Sequence, residues 1–320
     1  MKEVSNIGHF TIDLPSTDAA TALSGPGNTF LKKFESLTGV SFTIRGLQLE
    51  MSGVSSKLET ASALVELTRP IWEQGLEVPE VDLNAAYCSL NMGQASSHAE
   101  LGKKILAKSK GGKYLRPRTI RQKAYVEAIE NFDLTFAIGP AGTGKTFLAT
   151  VLAARLLAEK KIEKIILTRP AVEAGEKLGF LPGDLQQKVD PYLRPLFDAL
   201  HNIFGLEKTT SYIEKGLIEV APLAYMRGRT LENSIIILDE AQNTTKAQMK
   251  MFLTRLGHRS KMVVNGDITQ IDLQKPQESG LEEAVKIFSE VEGIKICFLN
   301  AEDVVRHALV QKIIDVYDKS

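Results

Sequence analysis

Short apolar runs of strand length recur along the C-terminal two thirds of the chain. Residues 134–138, 235–238 and 261–265 each predict a buried strand, and residues 295–299 predict a last one. After the first run, apolar residues recur at helical spacing, at Leu148, Val151, Leu152 and Leu156. The pattern therefore predicts a strand that leads directly into a helix, with further buried strands after it.

The first 78 residues show a different order of elements. They predict a strand at 9–14, helices at 17–24 and 29–37, strands at 41–45 and 48–52, and a helix at 57–74. This βααββα order, with a glycine turn at residues 25–28, resembles a KH module, an α+β fold whose GxxG loop binds nucleotides. Asn28 stands where the second glycine would be, and the turn has no Lys or Arg. RNA contact and use of the fold for assembly or partner docking therefore both stay open.

The composition is that of an ordinary globular protein. Of the 320 residues 43% are hydrophobic, and 39 basic residues balance 39 acidic ones, which excludes disordered, collagen-like and rod-like coiled-coil chains. No apolar run approaches the roughly 20 residues of a membrane-spanning helix, and the first ten residues lack the apolar stretch of a secretory signal. The two cysteines have neither metal-ligand nor disulfide-framework spacing. We therefore expect a cytoplasmic protein with no membrane partner.

Basic residues are concentrated in one segment. Between Leu101 and Lys123 there are nine Lys and Arg residues and no Asp or Glu, with Gly111-Gly112 among them. We interpret this segment as a linker, which is either a solvated hinge or a contact for nucleic-acid phosphates. The predicted division is a KH-like module at 1–78, a helical connector and basic linker at 79–117, and a large C-terminal domain at 118–320 that contains the buried strands.

A phosphate-binding loop follows the first buried strand. The sequence GPAGTGKT begins at Gly139 and ends at Thr146, and its glycines let backbone N–H groups turn around a phosphate at the start of a helix. Lys145 is expected to reach the β- and γ-phosphates, and the Thr146 hydroxyl to bind Mg²⁺. The predicted nucleotide-binding residues of this loop are Gly139, Pro140, Ala141, Gly142, Thr143, Gly144, Lys145, Thr146 and Phe147.

Two carboxylates end the second buried strand. Asp239 is predicted to bind Mg²⁺, and Glu240 to act as the general base for a water molecule that attacks the γ-phosphorus. A P-loop kinase needs no such base, so the pair indicates hydrolysis rather than transfer to a metabolite. It also indicates the branch of P-loop proteins that has an extra strand between the strands carrying the loop and the carboxylates.

Two glutamines complete the predicted nucleotide site. Gln270, in the sequence GDITQ after the third strand, is predicted to sense the γ-phosphate or the attacking water. Gln122, before the first strand, carries a side-chain amide that can pair with the donor and acceptor of an adenine edge. We therefore expect ATP, with Mg²⁺, as the bound nucleotide.

The order Gln122, GPAGTGKT, TRP, DEAQ and GDITQ resembles the motor core of superfamily-one helicases. Longer strings, including LTRPAVEAGEKLGFLPGDLQQKVDPYLRPLFDAL, PLAYMRGRT, ILDEAQNTT, MKMFLTRLG, NGDITQIDL and DVVRHALVQKII, resemble the PhoH-like ATPase family over residues 115–318. The resemblance implies a RecA-like P-loop α/β fold with a parallel sheet, and ATP binding and hydrolysis. It further implies a cytoplasmic bacterial setting and a role in RNA metabolism, with an rRNA-maturation endoribonuclease as a partner.

Helicases of that superfamily complete the ATP site with arginines from a second motor domain, for which this sequence has no counterpart. An arginine supplied in trans would fill the same role. We therefore predict a head-to-tail homo-oligomeric ring, a hexamer, in which each neighbour completes the site. Arg306 is the preferred arginine finger, and Arg255 and Arg259 are the alternatives.

Candidate RNA contacts lie outside the P-loop. Arg169 ends the strand that follows the P-loop helix, and residues 225–230 combine a tyrosine, two arginines and no acid, a composition suited to phosphate contact and base stacking. Residues 171–200 mix acidic and basic side chains and are equally suited to an oligomer contact. Two functions follow: a motor that couples ATP hydrolysis to RNA remodelling, or an ATP-switched adaptor that docks an endoribonuclease or ribosome-assembly factor without unwinding.

Overall fold

The structure is a computed structural model that describes residues 7–109, 114–170, 185–273 and 278–304. Arg306, the glycine pair of the linker and residues 171–184 lie outside the described residues. The chain divides into two compact units. The first comprises residues 1–104 and 118–120, and the second comprises residues 105–117 and 121–320. Among the described residues, no helix has the length and apolar character that crossing a membrane requires.

The first unit begins with the predicted βααββα order. Its elements are β1 (Ile7–Asp13), α1 (Thr17–Ser24), α2 (Thr29–Thr38), β2 (Ser41–Arg45), β3 (Gln48–Val54) and α3 (Ser55–Trp72). The strands form an antiparallel sheet in the order β1-β3-β2. Ser16 caps α1 through a side-chain hydrogen bond to the backbone N–H of Ala19. The order of elements is as predicted, and assignment of this unit to the KH fold stays a prediction.

The predicted helical connector is part of the first unit. It forms α4 (Glu80–Asn91) and α5 (Ala95–Ala99), and Val78, Leu83 and Ala86 are buried in the same core as the sheet and α1 to α3. The boundary predicted at residue 78 therefore differs from the one in the structure. The physical reason is that the apolar face of α4 has an apolar surface beside it, so burial is favoured over a solvated connection.

The described part of the basic linker is packed as well. Residues 107–108 and 114–115 pair as the two short strands β4 (Ala107–Lys108) and β5 (Tyr114–Leu115). Leu106 is buried in the core of the second unit. An apolar residue among the basic ones therefore attaches this segment to the second unit, which a freely solvated hinge would not do.

The second unit contains a six-stranded parallel sheet. Its remaining elements are α6 (Ile120–Asn131), β6 (Leu134–Ile138), α7 (Lys145–Ala158), β7 (Lys164–Arg169), α8 (Leu185–Phe204), α9 (Leu206–Glu214), β8 (Ile218–Pro222), β9 (Ser234–Leu238), α10 (Lys246–Leu253), β10 (Lys261–Gly266), α11 (Gly280–Phe288) and β11 (Ile294–Phe298). The strand order is β11-β6-β10-β9-β7-β8. This is a RecA-like P-loop α/β fold, and the predicted extra strand is β10, which lies between β6 and β9.

Alternate residues of the central strands enter different cores. Ile235 and Ile237 of β9 belong to the core that contains α7 and α8, whereas Ile236 and Leu238 belong to the core that contains α10 and α11. Because both faces of β9 are covered, its sequence is a continuous apolar run rather than an alternating one. All strands point the same way, so the segments that follow them meet at one edge of the sheet.

Candidate nucleotide site

The phosphate-binding loop connects β6 to α7. Gly144 has φ +80°, a left-handed conformation, immediately before the helix begins at Lys145. At Gly139, a side-chain Cβ would lie 2.5 Å from the carbonyl oxygen of Leu299, so only glycine fits there. The glycines of the motif are therefore required by backbone conformation at one position and by close packing at the other.

The ammonium group of Lys145 lies inside the loop. Its Nζ donates hydrogen bonds to the carbonyl oxygens of Gly139 and Pro140 at 2.6 and 2.9 Å, and the side chain is buried. These carbonyls hold the cation at the centre of the loop. A phosphate group in the loop would offer the same cation negatively charged acceptors.

Thr146 and Asp239 join the loop to the end of β9. The Thr146 hydroxyl donates a 2.5 Å hydrogen bond to Oδ1 of Asp239. Burial raises the pKa of Asp239, and the hydrogen bond from Thr146 opposes that rise. A hydroxyl and a carboxylate oxygen beside a phosphate loop fit Mg²⁺, which keeps water and phosphate ligands and takes few from the protein. The described residues contain no cluster of three or more His, Cys, Asp or Glu side chains arranged to bind a metal.

Glu240 adopts a left-handed backbone conformation, with φ +51°. Its carboxylate accepts a 2.6 Å hydrogen bond from Nε2 of Gln242 through Oε2, and its Oε1 lies 3.5 Å from Nη2 of Arg169. Left-handed conformations are uncommon outside glycine and cluster at functional sites. The backbone and both neighbours therefore determine where the predicted general base points.

Gln242 is a site residue to which we assigned no role from the sequence. The side chain is buried, and its Oε1 accepts a hydrogen bond from the backbone N–H of Asp267 at 3.0 Å. Its Nε2 donates both to Glu240 and, at 3.1 Å, to the carbonyl oxygen of Gln270. One amide therefore links the carboxylates after β9 to the GDITQ segment after β10. Its position as the last residue of DEAQ was the only signal in the sequence.

Asp267 is the second site residue that sequence reasoning missed. It is 4% exposed, and its Oδ1 accepts hydrogen bonds from the N–H and the hydroxyl of Thr269 at 3.0 and 2.7 Å. Its Oδ2 has no hydrogen-bond partner among the described residues, nor do Oγ1 of Thr168 and Nδ2 of Asn265, which are buried at the same edge of the sheet. Buried polar atoms are normally hydrogen-bonded. Ordered water would satisfy all three, whereas a phosphate oxygen would satisfy the donor on Asn265 and a cation the acceptor on Asp267.

A cavity of about 230 Å³ brings the predicted residues together. It is lined by Ala141, Gly142, Gly144, Lys145, Thr146, Phe147, Asp239, Glu240, Gly266, Asp267 and Gln270. The structure therefore places Gln270 beside the carboxylates. Gln122 is not part of the cavity wall: it is buried, and its Nε2 donates to the carbonyl oxygens of Thr143 and Asp303 at 3.0 and 3.3 Å.

The chain is similar to known proteins over most of its length. Residues 114–318 match the family described as PhoH-like protein. A PhoH-like protein of Synechocystis sp. is 52% identical over 310 residues, which make up 97% of this chain and 94% of the relative. A PhoH-like protein of Bacillus subtilis is 48% identical over 96% of both chains. The chain belongs to the PhoH-like family.

The Protein PhoH of Escherichia coli is 49% identical over 202 residues, which cover 62% of this chain and 57% of that protein. Membership of the PhoH-like family and the P-loop geometry together support a nucleotide-hydrolysing activity. The predicted family assignment is therefore confirmed.

The described candidate arginine fingers lie away from the cavity of this PhoH-like protein. Arg255 donates to the carbonyl oxygens of Met251 and Arg229, each at 3.0 Å. Arg259 lies on the segment before β10, at the opposite edge of the sheet, where it lines a separate cavity of about 770 Å³. Neither arginine lines its own chain's nucleotide cavity, and Arg306, the preferred candidate, lies outside the described residues.

The candidate RNA contacts differ in their surroundings. Arg229 forms two hydrogen bonds with the Glu219 carboxylate, at 2.6 and 2.8 Å, and these, with a further hydrogen bond from Lys164, lower the pKa of Glu219 to about 2. Tyr225 and Arg227, by contrast, are exposed. Of the two arginines in residues 225–230, Arg227 is therefore the more accessible to solvent, and RNA contact by either stays a prediction.

Proposed function

We propose that this PhoH-like protein binds ATP with Mg²⁺, hydrolyses the γ-phosphate, and couples hydrolysis to the binding or remodelling of RNA in the cytoplasm. The observation that carries the proposal is the position of Glu240 in the wall of the cavity that Lys145, Thr146 and Asp239 also line. A carboxylate of this kind, next to the residues that hold phosphate and Mg²⁺, serves to activate water.

The residues divide the chemistry as follows. Lys145 and the backbone N–H groups of the loop bind and orient the phosphates. Thr146 and Asp239 would hold Mg²⁺, which would supply positive charge to the phosphate oxygens when bound. Glu240 accepts a proton from a water molecule whose oxygen bonds to the γ-phosphorus. The bond from that phosphorus to the bridging oxygen breaks, and its electron pair leaves with ADP.

ATP rather than GTP is proposed because of Gln122. Its amide is held beside the P-loop by the carbonyls of Thr143 and Asp303, and it has the donor and acceptor that an adenine edge requires. To pair with the base, the amide must exchange one of these contacts. Competition of ATP hydrolysis by GTP, in the parent and in Gln122→Ala, tests this assignment, because the variant should lose discrimination between the two nucleotides.

A ring is also proposed, because among the described residues only Arg169 places a guanidinium next to the catalytic carboxylates. The proposed ring is a head-to-tail hexamer in which a neighbour's arginine, Arg306 in the first instance, completes each site. Sedimentation in the presence of ATP tests it. A fully active protein that sediments only as a monomer would contradict the ring.

The test of the function as a whole is the steady-state ATPase rate with and without single-stranded RNA. We expect stimulation by RNA, and loss of activity in Glu240→Gln in both conditions. A rate that does not change with RNA but is lost in Glu240→Gln would support ATP hydrolysis and contradict its coupling to RNA. It would favour the alternative proposal, an ATP-switched adaptor that docks an endoribonuclease or a ribosome-assembly factor, which nucleotide-dependent capture of such a partner would support.

A further inference from the structure

Both oxygens of the Glu240 carboxylate are engaged by neighbouring side chains. Gln242 donates to Oε2 at 2.6 Å, and the Arg169 guanidinium lies 3.5 Å from Oε1. A general base must direct a carboxylate oxygen at the water whose proton it takes. The observed arrangement instead directs one oxygen towards a cation on the neighbouring strand. The base is therefore present at the site but restrained.

We propose that Arg169 is a positioning residue that restrains Glu240, and that a phosphodiester group of bound RNA releases Glu240 by drawing the guanidinium to itself. The inference rests on the proposed function, because it assumes that RNA stimulates hydrolysis. It adds the residue that carries the stimulation and the part of RNA that it detects.

The position of Arg169 suits this role. It is the last residue of β7, a strand that pairs with β9 on one side and with β8 on the other. Towards β9 its guanidinium meets Glu240. Towards β8 its backbone partner is Pro222, which is followed directly by the turn at 223–226. Arg169 therefore lies between the hydrolytic carboxylate and a surface turn.

That turn offers the groups that single-stranded RNA binds. Tyr225 is 51% exposed, and Arg227 is exposed two residues later, with no acidic residue between 220 and 231. An exposed aromatic ring stacks on bases, and an arginine pairs with phosphates. RNA that occupies Tyr225 and Arg227 runs beside the end of β7, where its next phosphate can compete with Glu240 for Arg169.

The contact between Arg169 and Glu240 is weak enough to be exchanged. Its closest atoms are 3.5 Å apart, and the two side chains are 22% and 35% exposed. A partly exposed ion pair of this kind contributes little stability. A phosphate can accept two parallel hydrogen bonds from a guanidinium, which is a stronger arrangement. Release therefore requires no unfolding of the strand, only a change of partner by one side chain.

The experiment compares the full chain with Arg169→Gln, Arg169→Lys and Arg155→Gln. Each is assayed for steady-state ATP hydrolysis with and without an unstructured oligouridine, and for the KM of ATP. Arg155 is a matched control, because its side chain is ion-paired with Glu130, is as buried as that of Arg169, and lies in the same unit without lining the nucleotide cavity. We expect Arg169→Gln to raise the RNA-free kcat several-fold, to reduce stimulation by RNA to a ratio near one, and to leave the KM of ATP unchanged.

The second variant protects the test against a folding defect. Arg169→Lys keeps a cation that can hold Glu240 and meet a phosphate as a point charge, so we expect it to retain part of the stimulation. An RNA-free rate in Arg169→Gln that is unchanged or lower, with stimulation retained, would overturn the inference. So would a raised KM of ATP with a lowered kcat in both variants, because that result identifies a structural role.

The failure of the inference and the failure of the proposed function give different results. If the parent protein is not stimulated by oligouridine, the coupling to RNA is wrong whatever the variants do. A raised RNA-free rate in Arg169→Gln would then support the restraint on Glu240 but overturn RNA as its trigger. If the parent is stimulated and Arg169→Gln is stimulated equally, hydrolysis is coupled to RNA, but Arg169 does not mediate the coupling.

Discussion

The Thr146 hydroxyl donates a 2.5 Å hydrogen bond to Oδ1 of Asp239, a residue 93 positions later in the chain. Thr146 lies in the first turn of α7, and Asp239 directly follows β9. This contact joins the phosphate-binding loop to the carboxylates. It also places a buried carboxylate where a cation would be expected. We therefore expect the charge of this carboxylate to affect the free energy of unfolding.

Asp239→Asn is expected to stabilise the protein without metal while abolishing ATP hydrolysis. Burial raises the pKa of Asp239, so the folded protein binds the proton more tightly than the unfolded chain does. The ionised carboxylate therefore lowers stability at neutral pH, and this penalty disappears as the pH falls below the ordinary value of 3.8. We expect a Tm rise of about 2–4 °C, equivalent to about 1 kcal/mol.

Thermal unfolding in EDTA at pH 7 measures this effect. A matched scan with Mg²⁺ and ATP should reverse the order, because only the parent gains from binding the cation. A variant that is less stable than the parent in EDTA would show that the charge of Asp239 stabilises the free protein.

Gln242→Ala is expected to reduce kcat by about 10- to 100-fold with little change in the KM of ATP, since small displacements of a catalytic group have effects of this size. The reason is that one buried amide orients Glu240 and holds the backbone of Asp267 and Gln270. Steady-state kinetics over a range of ATP concentrations separates the two constants.

Gln248→Ala is the control for Gln242→Ala. Gln248 is exposed and makes the capping-box contacts at the start of α10, so its loss should change stability by about 1 kcal/mol and leave kcat unaltered. Equal losses of kcat in the two variants would indicate a general effect of destabilising this region.

Arg227→Gln and Arg229→Gln, two positions apart, should change different properties: the first RNA binding, the second the stability of the fold. Arg227→Gln should weaken RNA binding and reduce the salt dependence of binding by about one charge, with stability within about 0.5 kcal/mol of the parent. Arg229→Gln should cost about 1 kcal/mol, because it leaves the half-buried Glu219 carboxylate with fewer donors. Fluorescence anisotropy with labelled RNA and urea unfolding measure the two effects.

The Arg229 effect should depend on pH. The pKa of Glu219 is lowered from 4.5 to about 2, so the pair stabilises the fold fully above about pH 4.5, and this stability is lost as the pH falls through 2. The difference between the parent and Arg229→Gln should therefore be complete at pH 6 and much smaller at pH 2, where the folded protein is binding the proton at Glu219. A difference that is as large at pH 2 as at pH 6 would mean that Arg229 acts through packing.

Mixing two inactive variants tests whether an arginine acts in trans. Glu240→Gln lacks the base, and Arg306→Ala lacks the preferred finger. If neighbours share sites in a ring, mixed rings contain some sites with both groups, and the mixture should be more active than either variant alone. Arg255→Ala and Arg259→Ala, each mixed with Glu240→Gln, test the alternatives. If no mixture is more active than the separate variants, none of these three arginines completes the site of a neighbouring subunit.

The local sequence was sufficient to predict those features that depend on residues close to one another in the chain. The P-loop is one example, since Gly144, Lys145 and Thr146 form a strand-to-helix turn whose backbone conformation depends on the glycines themselves. The βααββα order of the first unit is another, because hydrophobic periodicity and glycine turns are local signals. The position of β10 between β6 and β9 was also predicted, from the pair of carboxylates.

The tertiary structure decided what depends on strand order and burial. Gln242 contacts Asp267 because β9 and β10 are neighbours, and Arg169 contacts Glu240 because β7 pairs with β9. Arg227 and Arg229 look alike in the sequence, and only the fold places Glu219 beside one of them. The packing of α4 into the first unit depends likewise on an apolar surface made by distant residues. Local patterns determine conformation and chemical type, whereas partners across a sheet are set by a topology that no single segment contains.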